Sequence, residues 1–202
     1  MSQALKPKAV DRMALRVTIV LGVAAAVYTL VQAVIRIIQI VPNKDVPVMA
    51  SFADTPATLP IGPGGAEVSV VAEQVLISAS DMAPITVVSL VLAEVIYAVA
   101  VVLAIVCVSF VIRNINRGEV FGKSNVALVG TLTFTVAFGW LLTWLFRTMG
   151  ANGAASALAG EPGDNTPLRL ELIVAFAIAA LGALSAAWVA GHRLQRDTEG
   201  LV

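Results

Sequence analysis

Gly118, Gly122, Lys123 and Ser124 stand close together in the stretch RGEVFGKSN, residues 117–125. A glycine followed by Gly-Lys-Ser is the chemistry of a phosphate-cradling loop, in which backbone N–H groups and a lysine converge on a nucleotide. That loop requires four residues between its first glycine and the Gly-Lys pair. Here only Glu119, Val120 and Phe121 intervene. It must also follow a strand of an α/β sheet, whereas a long apolar run precedes this one. The stretch therefore reads as a connector, not a nucleotide site. Arg117 and Lys123 are expected to face anionic headgroups, and Ser124 or Asn125 to cap the helix that follows.

A second group with chemical potential is Glu94, Gln32 and Arg36, polar residues set in apolar runs. Glu94 lies ten positions after Pro84, about 15 Å along a helix at ~1.5 Å per residue. A carboxyl at that depth in a bilayer costs about 2.5–3.5 kcal/mol and faces protein or water. Gln32 lies ten positions before Pro42 at nearly the same depth, and Arg36 follows one turn later on the same face. A contact of Glu94 with Gln32, Arg36 or both is expected between adjacent antiparallel helices. Such a contact either locks helix register or forms a proton or cation site. A relay usually draws on several acids, so the structural role is preferred.

The remaining reactive side chains form no constellation. Cys107 sits inside an apolar run with no metal-ligand companion and reads as a packing residue. His192 lies beside Trp188 and reads as an interfacial anchor, opposite a belt of Trp140, Trp144 and Phe146. No nucleophile–base pair, carboxylate pair or metal cluster appears in the sequence. A non-enzymatic protein without cofactor is expected.

The elements that must carry these residues follow from composition. The chain has 202 residues, 58% hydrophobic and 13% charged, where a soluble domain carries about 25% charged residues. Four apolar blocks are long enough to span a bilayer, about 17–41, 85–112, 126–146 and 172–191. The first is too long for a cleavable signal peptide and has no clear small-x-small site before Val41. Lys6, Lys8, Arg12, Arg16, Arg113, Arg117, Lys123, Arg193 and Arg196 fall on one side, nine of thirteen basic residues. That bias orients both termini inward, in a bacterial plasma membrane. The same rule accounts for the basic residues without nucleic acid.

The expected architecture is an all-α, four-helix transmembrane bundle, N-in and C-in, with a small extracytoplasmic cap containing β structure. An outer segment spans 42–84, a cytoplasmic loop 113–125, an outer loop 147–171 and a cytoplasmic tail 192–202. In the outer segment, Glu67, Ser69 and Val71 alternate with Val68, Val70 and Ala72, which predicts a strand in a two- or three-stranded cap. The residues before it, DVPVMASFADTPATLP, read as an extended loop, and IGPGG as a turn. In the outer loop, AASALA predicts a short helix and GEPGDNTP a turn. Small residues recur every four positions at Ala175, Ala179, Ala183, Ala187 and Gly191, and at Thr131, Thr135, Gly139 and Thr143. Such ridges let helix backbones approach closely, either within the bundle or against a partner.

The basic residue and glycine at Arg117-Gly118, with Phe121 and Asn125 opening the third helix, resemble a bacterial family of small four-helix membrane proteins catalogued as a domain of unknown function. The tail RLQRDTEGLV resembles that family's ending. The resemblance implies four spans and no established activity. Taken together, the expected role is an accessory, assembly or scaffold subunit of a larger membrane complex. The expected partners are the lipid bilayer and other membrane subunits, with no nucleotide. By analogy that complex is a respiratory-chain supercomplex. The alternatives are a small transporter using Glu94 and a membrane sensor.

Overall fold

The computed structural model describes residues 9–159 and 172–199. It contains α1 (Ala9–Ile40), β1 (Val46–Leu59), a 3-10 turn (Pro63–Gly65), β2 (Val68–Ala79), α2 (Pro84–Asn116), α3 (Lys123–Ala159) and α4 (Leu172–Glu199). All four helices are long and apolar enough to cross a membrane. The chain is a multi-pass membrane protein. Most of the N-terminal arm and the turn GEPGDNTP lie outside the described residues.

The helices are longer than the apolar blocks, and their charges show where each block ends. Charge-free runs occupy 17–35 between Arg16 and Arg36, and 95–112 between Glu94 and Arg113. Two more occupy 124–146 between Lys123 and Arg147, and 172–192 before Arg193. At ~1.5 Å per residue these runs measure about 27–35 Å, close to the ~30 Å hydrocarbon core of a bilayer.

The chain divides into two compact units. A hairpin unit comprises Val34–Val95 and Leu142–Arg169. At its centre β1 and β2 pair antiparallel, with Val46 opposite Ala79, Val48 opposite Ile77 and Ala50 opposite Val75. Side chains alternate across a strand, so Val46, Val48 and Ala50 all turn inward and are buried. Val46 and Val48 join a core with Ile40, Ala79, Met82, Leu90, Ala151 and Ala154. Asn43 closes the hairpin's base. Its Nδ2 donates to the Met82 carbonyl at 2.9 Å, and its Oδ1 accepts from the Met82 N–H at 3.0 Å. Asn43, Asp45 and Asp81 all take positive φ, the conformation that Asn and Asp tolerate best among residues with a side chain.

Two expectations are corrected here. The residues 46–59, expected as an extended loop, form a full strand opposite β2. Residues 147–159, expected as loop with one short helix, continue α3 without a break to Ala159. Glycines explain the second result. A Cβ on Gly150 would stand 2.4 Å from Leu90 Cδ2, and one on Gly153 would stand 2.1 Å from Thr86 Oγ1. The glycines that suggested a loop are the ones that let α3 lie directly against α2, and that packing offsets their low helix propensity.

A helical unit comprises Met1–Ala33, Ile96–Leu141 and Leu170–Val202. Close approach recurs in it, since a Cβ on Gly139 would meet the Ala100 Cβ at 2.5 Å and one on Gly191 the Phe121 ring at 2.6 Å. Thr133 Oγ1 donates within its helix to the Val129 carbonyl at 3.0 Å and reaches the Leu181 carbonyl of α4 at 3.3 Å. Helix α2 ends as glycine allows: Gly118 takes φ 86, and Glu119 N–H returns to the Asn114 carbonyl at 3.0 Å.

Candidate interaction surface

The connector 117–122 is held as a structural clasp. Helix α3 begins at Lys123, and Asn125 and Val126 N–H groups donate to the Gly122 carbonyl. Neither Ser124 nor Asn125 therefore occupies the capping position expected of them. Asn125 instead turns back and is fully buried. Its Nδ2 donates to the Glu119 carbonyl at 2.7 Å and the Val120 carbonyl at 3.0 Å, while its Oδ1 accepts from Asn114 Nδ2 at 2.7 Å. From α4, Trp188 Nε1 donates to the Val120 carbonyl at 2.9 Å, and His192 Nδ1 donates to the Phe121 carbonyl at 2.7 Å. His192 is thus committed to the connector's backbone. These contacts point side chains at the loop's carbonyls, the opposite polarity from a phosphate cradle.

Glu94 has a different partner from the one expected. Its carboxylate lies 3.8 Å from the guanidinium of Arg147 on α3. Arg36 gives Nη1 to Gln39 Oε1 at 3.1 Å and Nη2 to the Pro47 carbonyl at 2.9 Å, bracing the first residues of β1. Gln32 is exposed. Glu94, Arg36 and Arg147 each stand at the edge of a run. The signal for Arg147 was present in the sequence, as the charge ending the third run.

The two small-residue ridges separate. On α3, Gly139 and Thr143 are buried, Thr135 is half-buried and Thr131 is exposed. On α4, Ala175, Ala179, Ala183 and Ala187 are all exposed, and only Gly191 packs, against Phe121. The α4 ridge is not internal packing. No group of three or more His, Cys, Asp or Glu side chains able to hold a metal occurs among the described residues.

The feature that sequence reasoning underestimated is the hairpin. With β1 of 14 residues, it extends about 46 Å at ~3.3 Å per residue. Among its described side chains, only those at the base are buried. Beyond Ser51 opposite Gln74, residues 52–54 bulge opposite Glu73, and pairing resumes at Thr55 opposite Ala72. Exposed apolar side chains line its length: Met49 and the directly opposed Leu76, then Val71, Leu59 and Val68, and Ile61 at the turn. The sheet has two strands, so each has one unpaired edge. Pro47 and Pro56 interrupt the donors of β1, while β2 contains neither proline nor glycine. No family model, curated protein or solved structure matches the chain.

Proposed function

We infer that the chain is a non-enzymatic accessory or assembly subunit, whose hairpin docks on an extramembrane part of another membrane protein. One observation carries this reading: a hairpin about 46 Å long, open at both edges, with Leu59, Ile61, Val68 and Val71 exposed along its distal half. An isolated two-stranded hairpin is marginal in water, and an exposed apolar edge pairs with whatever strand it meets. Covering by a partner removes both liabilities. The β2 edge suits strand addition, because every one of its residues retains a backbone N–H.

Charge narrows the partner. Segment 42–84 holds Lys44 against Asp45, Asp54, Glu67, Glu73 and Asp81. An acidic arm is repelled by anionic headgroups, so a protein surface with an apolar seam and basic flanks fits better than the bilayer surface. The positive-inside bias places this arm on the extracytoplasmic side. Glu94 offers little support for transport, since its carboxylate lies beside a cation, Arg147, and a relay usually draws on several acids.

The test replaces residues 52–73 by Asn-Gly, joining Ser51 to Gln74 through a tight turn and leaving the buried base intact. Full-length protein is expected to co-purify in mild detergent with one large membrane complex, with respiratory-chain subunits the specific expectation. The shortened protein is expected to keep its thermal stability and lose that complex. Equal co-purification of both proteins overturns the hairpin's role. An isolated monomer in both cases overturns the accessory reading.

A further inference from the structure

We propose that the α1–α2 groove of the helical unit is a binding site for one anionic glycerophospholipid with a hydroxyl-bearing headgroup. At one end of the groove is a cavity of about 450 Å³ lined by Ile19, Ser109, Phe110, Arg113, Asn116 and Arg117. A second cavity of about 240 Å³ shares Ser109 and Phe110 with it. This one continues between the same helices over apolar side chains, among them Val23, Ala26 and Leu30 of α1 and Val102 and Val106 of α2. The two form one trough, cationic at one end and hydrocarbon-like along the rest.

That division matches an amphiphile. From Ile19 to Leu30 the trough follows α1 for about 17 Å at ~1.5 Å per residue, roughly half the ~30 Å hydrocarbon core and so one leaflet's acyl chain. Arg113 ends the charge-free run of α2, and Arg117 follows one turn later, so both guanidiniums stand where a headgroup phosphate lies. Among the described residues, no carboxylate pairs with either. Arginine's planar fork is suited to a phosphodiester, and the Ser109 hydroxyl adds a donor.

Asn116 supplies the selective element. Its Oδ1 is buried with no hydrogen-bond partner among the described residues. A buried acceptor without a donor is costly, so the Asn116 amide, which lines the cavity, is expected to turn toward an occupant that brings one. A phosphodiester oxygen cannot donate, and a phosphomonoester loses its last P–OH as pH rises past its second pKa of about 6, but a headgroup glycerol hydroxyl donates throughout. The chemistry therefore points to phosphatidylglycerol rather than phosphatidic acid or phosphatidylcholine.

The experiment titrates detergent-purified full-length protein with phosphatidylglycerol, phosphatidic acid, phosphatidylcholine and inorganic phosphate, reading retained lipid by native mass spectrometry and the shift in melting temperature. One phosphatidylglycerol is expected to be retained, with a preference over phosphatidylcholine of about tenfold or more from two basic contacts. Inorganic phosphate is expected to give no shift. The double variant Arg113→Gln, Arg117→Gln is expected to lose the preference, and Ala26→Phe, which fills the trough, to lose the lipid. Asn116→Leu is expected to bind phosphatidylglycerol and phosphatidic acid equally. Arg193→Gln with Arg196→Gln, on the exposed end of α4, serves as the charge-matched control and is expected to match wild type. Equal retention of phosphatidylglycerol and phosphatidylcholine by wild type overturns the site. Full stabilisation by inorganic phosphate, or an equal loss of preference in the control, also overturns it.

Discussion

The carboxylate of Glu94 and the guanidinium of Arg147 meet at 3.8 Å, with the arginine side chain 52% exposed and the glutamate 17%. At that distance and exposure the pair is a loose ion pair, worth about 0–1 kcal/mol. Glu94→Gln and Arg147→Gln are each expected to lower stability by less than ~1 kcal/mol, with a coupling of similar size in a double-mutant cycle. Thermal unfolding in detergent measures it. A coupling above about 3 kcal/mol would mean that the pair is dry and desolvated. Proton flux in liposomes supplies a second readout, and wild-type flux abolished by Glu94→Gln at unchanged stability would restore the transport reading.

Asn125 holds three side-chain hydrogen bonds at once. Replacement by alanine strips a donor pair from the Glu119 and Val120 carbonyls and leaves Asn114 without its strongest partner. Asn125→Ala is expected to cost about 2–3 kcal/mol. Asn125→Asp should be no better, since a carboxylate would present acceptors to carbonyl oxygens. Ser124→Ala, removing only a 3.3 Å contact at an exposed hydroxyl, is expected to change stability by less than ~0.5 kcal/mol. Equal effects at 124 and 125 would contradict the clasp.

Glycines on α3 and α4 divide by what surrounds them. Gly153 faces Thr86, which is 4% exposed and has no room to move. Gly153→Ala is expected to destabilise by about 1–3 kcal/mol through overpacking. Thr86→Ala should restore much of that loss. Gly182 has nothing within 4 Å of its added Cβ, so Gly182→Ala is expected to stabilise by about 0.5–1 kcal/mol through helix propensity. Denaturant or heat titration of the three variants decides the matter.

The four spans were legible because each needs only a run of apolar residues, a signal carried by composition alone. The ends of the helices were not. Residues 148–159 are small and glycine-bearing, which describes a loop equally well until Leu90 and Thr86 are seen to fill the space the glycines leave. β1 was hidden by Pro47 and Pro56, although Val46, Val48 and Ala50 alternate as a strand requires. Glu94 was recognised as exceptional, but its partner depends on which helices are neighbours, and depth alone does not settle that. Asn125 was noticed for a capping role. Its actual role needs a loop geometry that local sequence does not encode.

Orientation gives the last prediction, and it rests on charge rather than packing. Lys and Arg near the ends of spans resist translocation, so the bias of nine basic residues is expected to keep the 117–122 connector inside and the hairpin outside. Cys107 is 5% exposed, and replacing it by serine gives a background without thiol. On that background, Ala66→Cys places a thiol at the exposed hairpin turn, in an ordinary extended conformation with φ −61. Glu119→Cys places one on the exposed connector. A membrane-impermeant maleimide on intact cells is expected to label position 66 at once, and position 119 only after permeabilisation. The opposite pattern would put the hairpin in the cytoplasm and remove any extracytoplasmic partner from consideration. Labelling of both positions in intact cells would mean that the population holds both orientations. That outcome would make the basic bias too weak to fix one topology.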